Sequence, residues 1–163
     1  MLGERPLIIS PSLLTFRETV NRTLDSTLAS IDTAENAVLD LAARAGFAGL
    51  SLARIGLAVR EITANAIVHG NRYCLGKKVF LVVSRTRVRL EITIADQGAG
   101  FDLGSVSDPR SPEALLRPSG RGLYLARAFM DELQVRRGDL CGVSVELVKY
   151  VSKFKQQGAS LEN

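Results

Sequence analysis

The sequence predicts an α+β fold: a two-layer α/β sandwich in which a mixed, mostly antiparallel sheet is covered on one face by helices. Two helical patterns follow each other directly, two strand patterns come next, and one helix and two strands complete the order. Because a doubly wound parallel sheet needs alternating strands and helices, this segregation favours antiparallel pairing. Residues 88–95 alternate between apolar and other side chains, as expected for a strand with one buried face.

Short-range patterns predict the first half of the domain. A weak alternation at 16–22 indicates the first strand. Asp25 and Ser26 offer capping groups to a first helix, whose apolar residues recur at helical spacing until Gly46. Ser51 is the predicted cap of a second helix, which ends near residue 70. The apolar stripe of this second helix consists of Leu52, Ile55, Val59, Ile62 and Ala66.

The second half supplies the remaining strands. A continuous apolar run at 79–83 and the alternating run after it are joined by a short link, which predicts an antiparallel hairpin. The loop 102–119 contains several Pro, Ser and Asp residues and is typical of a lid or binding loop. A third helix is predicted to begin near Arg121. Two further strands are predicted at 133–137 and 143–149.

Length and composition are those of a soluble globular protein. The 163 residues are 46% hydrophobic and 23% charged, which is ordinary for one domain with a sizeable core. We expect an N-terminal extension at 1–15, one domain at 16–152 and a flexible tail at 153–163. With no apolar run of about 18 residues and no signal-peptide core, we expect no membrane contact and a cytoplasmic location. Cys74 and Cys141 lack metal-ligand spacing and suit a reducing compartment.

The net charge of +4 is not accompanied by the features of a nucleic-acid-binding protein. Its basic residues are scattered, and the chain has no tryptophan and few aromatic residues on which bases could stack. We therefore expect no direct nucleic-acid binding. An acidic protein partner or a nucleotide phosphate would use the same charge.

The second predicted helix carries an acid and an amide one turn apart. Glu61, Asn65 and His69 fall at i, i+4 and i+8, so they are neighbours along one stripe. A side-chain amide oxygen can ligate Mg²⁺ together with waters and nucleotide phosphates, and a carboxylate beside it can deprotonate an attacking hydroxyl. His69 is the only histidine, and we interpret it as a helix-end hydrogen-bonding residue.

Two glycine motifs complete the candidate site. In Asp96-Gln97-Gly98-Ala99-Gly100-Phe101, the carboxylate can accept a hydrogen bond from an exocyclic amino group such as that of adenine, and the glycines permit close approach to a flat ring. Gly120-Arg121-Gly122-Leu123 opens a helix, where backbone N–H groups bind anions. Arg121, or Arg110 and Arg117 in the preceding loop, could neutralise phosphate charge. The P-loop pattern is absent from the sequence.

In this order, the three segments resemble the N, G1 and G2 boxes of the GHKL ATPase superfamily (Bergerat fold), which includes gyrase, histidine kinases and MutL. Within it, the chain is most similar to the anti-sigma-factor serine/threonine kinases of bacterial partner-switching systems, from about Phe16 to Tyr150. This resemblance implies that the cofactors are ATP and Mg²⁺. It also implies a serine/threonine kinase that phosphorylates a small STAS-type anti-anti-sigma protein, forms a homodimer and sequesters a sigma factor.

The resemblance also assigns roles to single residues. Asn65 would hold Mg²⁺, Asp96 would read adenine, and Glu61 would act as the catalytic base. The remaining nucleotide-binding residues would be Gly98, Gly100, Phe101, Gly120, Arg121, Gly122 and Leu123. One position departs from the family: the last strand usually opens with Gly-Thr, whereas this chain has Gly142-Val143-Ser144 and lacks the expected hydroxyl.

Three other functions compete with the kinase. The chain could be a nucleotide-dependent module that switches partners without phosphoryl transfer, although such a module would not need a base at Glu61. A histidine-kinase-type ATPase domain would need a phosphoacceptor hairpin, and the only histidine lies in the predicted nucleotide-facing helix. A hydrolytic clamp like gyrase or MutL would need a second domain to move.

Overall fold

The computed structural model of the chain describes residues 16–100, 118–138 and 142–151. The expected N-terminal extension, the C-terminal tail and most of the predicted lid lie outside these residues. Within them, five strands and three helices follow the predicted order. The strands are β1 (Glu18–Asp25), β2 (Lys78–Arg85), β3 (Arg89–Asp96), β4 (Glu132–Arg137) and β5 (Val143–Tyr150). The helices are α1 (Ala29–Arg44), α2 (Gly49–Asn65) and α3 (Pro118–Phe129).

The strands form one sheet in the order β1-β2-β3-β5-β4, and every neighbouring pair is antiparallel. The predicted hairpin between β2 and β3 is confirmed, with Val83 opposite Ile92. The predicted first strand is displaced, since β1 extends to Asp25, which lies opposite Lys78. The α+β sandwich is therefore confirmed, with a fully antiparallel sheet in the described part of the chain.

The core lies between the helices and one face of the sheet. Strand residues that are at most 1% exposed alternate along β2 and β3, and they pack with α1 and α2 in a single apolar cluster. On the opposite face of the sheet, Phe80 and Val82 are 39% and 40% exposed. This difference follows from the period of two in a strand, which sends successive side chains to opposite faces. The buried strand residues are Val79, Leu81, Val83, Leu90, Ile92 and Ile94.

Helix α2 is the central helix, in contact with α1 on one side and α3 on the other. It continues beyond Asn65 as one turn of π-helix, Ala66–Gly70, and the chain then turns at Asn71. The predicted end of this helix is confirmed. α3 begins at Pro118, three residues before the predicted start, so the end of the predicted lid is helical.

The capping predictions for α1 and α2 are wrong. Neither helix has a side-chain cap, and their N-terminal flanking residues are Leu28 and Ala48. Ser26 instead donates to the carbonyl of Lys77 at 2.8 Å, and Asp25 pairs with Lys78 at 2.5 Å. Both side chains bind residues at the start of β2 instead of the helix, because β1 and β2 run antiparallel and the end of β1 lies beside the start of β2. Ser51 lies inside the first turn of α2.

Candidate functional site

Glu61 and Asn65 lie on the side of α2 that faces the beginning of α3. The two helices come close at Gly122, where a Cβ atom would lie 2.5 Å from Glu61 Oε2 and 3.4 Å from Asn65 Nδ2. A side chain at position 122 would therefore displace the acid and approach the amide. The predicted i, i+4 pair is thus brought against the Gly-x-Gly segment, as the candidate site requires. This segment was predicted to open the third helix, but it lies inside the helix, which begins at Pro118.

Both side chains are half-buried, and neither forms a hydrogen bond or an ion pair with the described part of the chain. A structural glutamate or asparagine in a packed interface is normally hydrogen-bonded, because a buried polar group without a partner is costly. The free carboxylate of Glu61 and the free amide of Asn65 are therefore available to a ligand.

Asp96 ends β3 and is 7% exposed. Its Oδ1 accepts hydrogen bonds from the backbone N–H groups of Gly98 at 2.8 Å and Val143 at 3.3 Å. Burial raises the pKa of this carboxyl, although the two backbone donors and the charge of Lys77 oppose the shift. A carboxyl whose pKa is raised by burial is incompletely compensated by its surroundings, and such groups cluster at functional sites.

The second oxygen of Asp96, Oδ2, has no hydrogen-bond partner among the described residues. In that part of the chain, the one fully buried side-chain oxygen or nitrogen without a partner is Thr63 Oγ1. Oδ2 is therefore accessible from outside the protein. Asp96 is thus held through one oxygen and presents the other.

Three glycines surround this carboxylate. A Cβ atom at Gly70 or Gly142 would collide with the carboxylate, and one at Gly98 would collide with the carbonyl oxygen of Gly70. Gly142 also has φ +78°, in the left-handed region that favours glycine. The sequence indicates Gly142 only as the start of the last strand, and its contact with Asp96 joins segments that are 46 positions apart.

Asn71 is a further residue whose importance the sequence did not reveal. It is 1% exposed, and its amide nitrogen donates to Ser26 Oγ at 2.8 Å and to the carbonyl of Lys78 at 2.9 Å. Its oxygen accepts from the backbone N–H of Gln97 at 2.8 Å. Asn71 therefore ties the end of α2 to the segment that carries Asp96 and Gly98. An asparagine directly after a helix-ending glycine is the local sequence signal that points to this position.

The remaining predicted residues lie around these two clusters or outside the described residues. Gly100 has φ +76°, and a Cβ atom there would lie 3.3 Å from the carbonyl oxygen of Gly142. Arg121 is exposed and Leu123 half-buried on α3. Gly120 lies in α3, and Phe101 lies outside the described residues. His69 is exposed on the π-helical turn.

The π-helical turn connects two groups of residues: the Glu61 cluster, which is Glu61, Asn65 and Gly122, and the Asp96 cluster, which is Asp96 with its three glycines. Asn65 precedes this turn and Gly70 ends it, so the Glu61 cluster and the Asp96 cluster lie at its two ends. π-helical turns are frequent at functional sites. The three sequence motifs therefore meet in one region, between the end of α2, the beginning of α3 and the end of β3.

A family model described as "histidine kinase-like ATPase domain" matches residues 24–149. The chain belongs to this family. The match spans every described element except the first residues of β1 and the last of β5, and it confirms the family indicated by the three motifs.

Curated relatives of this ATPase domain agree with the narrower resemblance. The chain is 29% identical over 119 residues to proteins from Bacillus cereus and Bacillus anthracis that are named "Serine-protein kinase RsbW", with 69% of this chain and 72% of each relative aligned. It is also similar to the crystal structure of the RsbU and RsbW domains of a Mycobacterium tuberculosis protein, with a TM-score of 0.58 and 19% identity. That alignment covers 81% of this chain and 32% of the other, and it supports the fold.

Two further properties concern metal-binding groups and membrane-spanning helices. In the part of the chain that the structure describes, no group of three or more His, Cys, Asp or Glu residues could hold a metal ion by itself. No helix there is long and apolar enough to cross a membrane.

Proposed function

We propose that this ATPase domain is a cytoplasmic serine/threonine protein kinase and anti-sigma factor of a bacterial partner-switching system. Its substrate is a small STAS-type anti-anti-sigma protein, and it acts as a homodimer that binds a sigma factor when the substrate is phosphorylated. The family supports ATP as the phosphoryl donor, and the name of the curated relatives supports a protein serine as the acceptor. The observation that carries the proposal is the unpaired carboxylate of Glu61 beside Asn65 and Gly122.

Adenine recognition follows from the divided role of the Asp96 carboxylate. Because Oδ1 is occupied by two backbone donors, Oδ2 can accept the exocyclic amino group of the base. Gly98 and Gly100 line the base and sugar, and Phe101 is a further nucleotide-binding candidate from the sequence. Val143 stands where the family usually has threonine. Its backbone N–H contributes to positioning Asp96, but its side chain offers no hydroxyl to the base.

The phosphates extend from Asp96 towards Glu61, where the N-terminal end of α3 provides Gly120, Arg121 and Gly122. Backbone N–H groups of the first three residues of a helix lack intrahelical partners and attract anions, and Gly120 is the third residue of α3. Gly122 lies further inside the helix, where its missing side chain leaves room beside Glu61. Arg121 is exposed in the first turn of α3 and can neutralise phosphate charge. Leu123 packs against the core and fixes the orientation of the turn.

Phosphoryl transfer follows from the position of Glu61. The hydroxyl oxygen of the acceptor serine or threonine forms a bond to the γ-phosphorus of ATP, and the bond from that phosphorus to the β–γ bridging oxygen breaks. ADP leaves with the bridging electron pair, and the hydroxyl proton passes to the Glu61 carboxylate. Most of the rate enhancement in such a site comes from positioning and charge stabilisation.

The donor set at this site fits Mg²⁺. Asn65 has an amide without a partner in the described residues, and Mg²⁺ is commonly held by one or two protein oxygens together with waters and substrate phosphates. When bound, Mg²⁺ would neutralise phosphate charge. Asn65 would be its direct protein ligand.

The test is transfer of labelled phosphate from ATP to each STAS-type protein encoded in the same genome. We expect Glu61→Gln to reduce the rate by about a hundredfold or more, the usual contribution of a general base, while ATP binding measured by calorimetry is kept. Asn65→Ala should abolish the magnesium dependence of ATP binding. Retained magnesium dependence in that variant would contradict the metal assignment.

The competing functions predict other results in the same experiment. Magnesium-dependent ATP binding without transfer to any acceptor would favour a non-catalytic switching module. Label on a histidine would favour a histidine-kinase-type domain. Equal transfer by wild type and Glu61→Gln would remove Glu61 from its role as the base.

A further inference from the structure

The outer surface of α2 carries a row of exposed side chains that leads to Glu61. Leu50, Arg54, Leu57 and Glu61 occur at i, i+4, i+7 and i+11, so they form one stripe on the helix. Leu50 is 66% exposed and Leu57 49% exposed. Neither leucine contributes to the core, although both lie on the helix that forms its centre.

Helix α3 extends this apolar surface. Gly122 and Phe129 approach α2, at Glu61 and Arg54 respectively. Leu125 is three residues after Gly122 and four before Phe129, which places it beside that line of contact, and it is 41% exposed. We use the name outer groove for the surface formed by Leu50, Arg54 and Leu57 of α2 and Leu125 of α3.

Arg54 carries the only charge in this set. Its guanidinium lies 5.8 Å from the centre of the Phe129 ring, and it forms no ion pair with an acidic residue in the described chain. Arg60, on the same helix, behaves differently, since it pairs with Asp32 and Glu35 of α1 at 2.6 Å each. The positive charge of Arg54 is therefore available to a carboxylate from another molecule.

We propose that the outer groove is the docking surface for the phosphoacceptor protein, which places apolar side chains on the three leucines and a carboxylate on Arg54. This inference rests on the proposed function. A protein that presents a hydroxyl to Glu61 must also cover the surface next to Glu61, and the outer groove continues directly from that residue along α2. Exposed leucines around an arginine fit the buried centre of an interface, which is more apolar than the rest of a protein surface and is enriched in arginine.

Steady-state kinetics with purified STAS-type protein as the acceptor test this surface. We expect Leu57→Glu and Arg54→Glu each to raise the KM for the acceptor by about tenfold or more, as truncation of a central interface residue does. The kcat at saturating acceptor and the affinity for ATP should stay within about twofold of wild type. Arg54→Lys should raise the KM for the acceptor less than Arg54→Glu does, because it keeps the positive charge.

Tyr124→Glu is the matched control for Leu125→Glu. Tyr124 is 49% exposed on the same helix, but the helical rotation turns it away from α2. We expect Leu125→Glu to raise the acceptor KM and Tyr124→Glu to leave it unchanged. If Leu57→Glu lowers the affinity for ATP and so disturbs the fold, Leu57→Ala replaces it and must give the same selective rise in KM.

The outcomes separate this inference from the proposed function. If wild type labels the acceptor and the groove variants have unchanged KM values, the docking surface is wrong and the kinase stands. The same conclusion follows if Tyr124→Glu raises KM as much as Leu125→Glu. If wild type binds ATP but labels no acceptor, the proposed function is wrong and the docking surface is wrong with it.

Discussion

Asp96 uses its two carboxylate oxygens for different purposes. Oδ1 is held by the backbone N–H groups of Gly98 and Val143, and Oδ2 is the oxygen that can meet a ligand. An asparagine has the same shape, and its single carbonyl oxygen could accept both backbone bonds. Its NH₂ group would then face the exocyclic amino group of adenine, so that two donors would meet.

Asp96→Asn should therefore lose nucleotide affinity without losing stability. An unsatisfied donor costs about 1–3 kcal/mol, and we expect ATP affinity to fall by about tenfold or more in calorimetry. The unfolding free energy of the ligand-free protein at neutral pH should be unchanged or higher, because the variant no longer buries a charge. A variant that unfolds more easily and still binds ATP normally would contradict both assignments.

The same residue predicts a pH dependence of stability. Because burial raises the pKa of Asp96 above its ordinary value of 3.8, the folded protein holds this proton at pH values where the unfolded chain has lost it. The contribution of Asp96 to stability is fully present below that ordinary value and is lost as pH rises through the folded pKa. Urea unfolding of the wild type, measured from below pH 3.8 upwards, should show this loss of unfolding free energy. Asp96→Asn should not show it.

At the scale of elements, Asn71 joins three of them. Its side chain binds Ser26 after β1, Lys78 at the start of β2 and Gln97 after β3, and its own backbone ends the π-helical turn. Gln97 adds a return bond by accepting from the backbone N–H of Lys78 at 2.7 Å. The orientation of α2 relative to the sheet, and with it the relation between Asn65 and Asp96, depends on this small network.

Asn71→Ala should lower the unfolding free energy by about 2–4 kcal/mol, because it leaves the Gln97 N–H and the Lys78 carbonyl without a side-chain partner. Urea unfolding of the ligand-free protein measures this change. Asn21→Ala is the matched control, since Asn21 is an exposed residue of β1 and should change stability by less than about 0.5 kcal/mol. Equal small effects in both variants would contradict the structural role of Asn71.

At the scale of the whole molecule, the proposed nucleotide would lie between the helical layer and the sheet. Its base would contact the end of β3, and its phosphates the ends of α2 and α3. A ligand that binds the folded state stabilises it by about 2.7 kcal/mol at a concentration of 100 Kd. For a chain of this size, 1 kcal/mol shifts the melting temperature by about 2–4 °C.

We therefore expect Mg–ADP at that concentration to raise the melting temperature by about 5–10 °C in a thermal unfolding experiment. Mg–GDP at the same concentration is the control. Guanine presents a carbonyl oxygen where adenine has its amino group, and this oxygen would face the Asp96 carboxylate. Equal shifts with both nucleotides would exclude Asp96 as the base-reading residue.

The sequence alone determined the order of the elements and half of the site. Strand alternation and helical stripes depend on neighbours a few residues apart, so the β2–β3 hairpin and the three helices could be predicted from them. The Glu61–Asn65 pair was predictable for the same reason, because i and i+4 positions meet on any α-helix. The resemblance of the three motifs to one superfamily identified the family.

The tertiary structure decided what depends on distant segments. Asp25 and Ser26 have the side chains of helix caps, but antiparallel pairing of β1 with β2 gives them other partners. Asp25 binds the ammonium group of Lys78, and Ser26 donates to the carbonyl of Lys77. The contact of Gly142 with Asp96 and the bonds of Asn71 join residues that are far apart in the chain, and no local pattern encodes such a pairing. The order of strands in the sheet brings them together, and it is this proximity that turns separate motifs into a site.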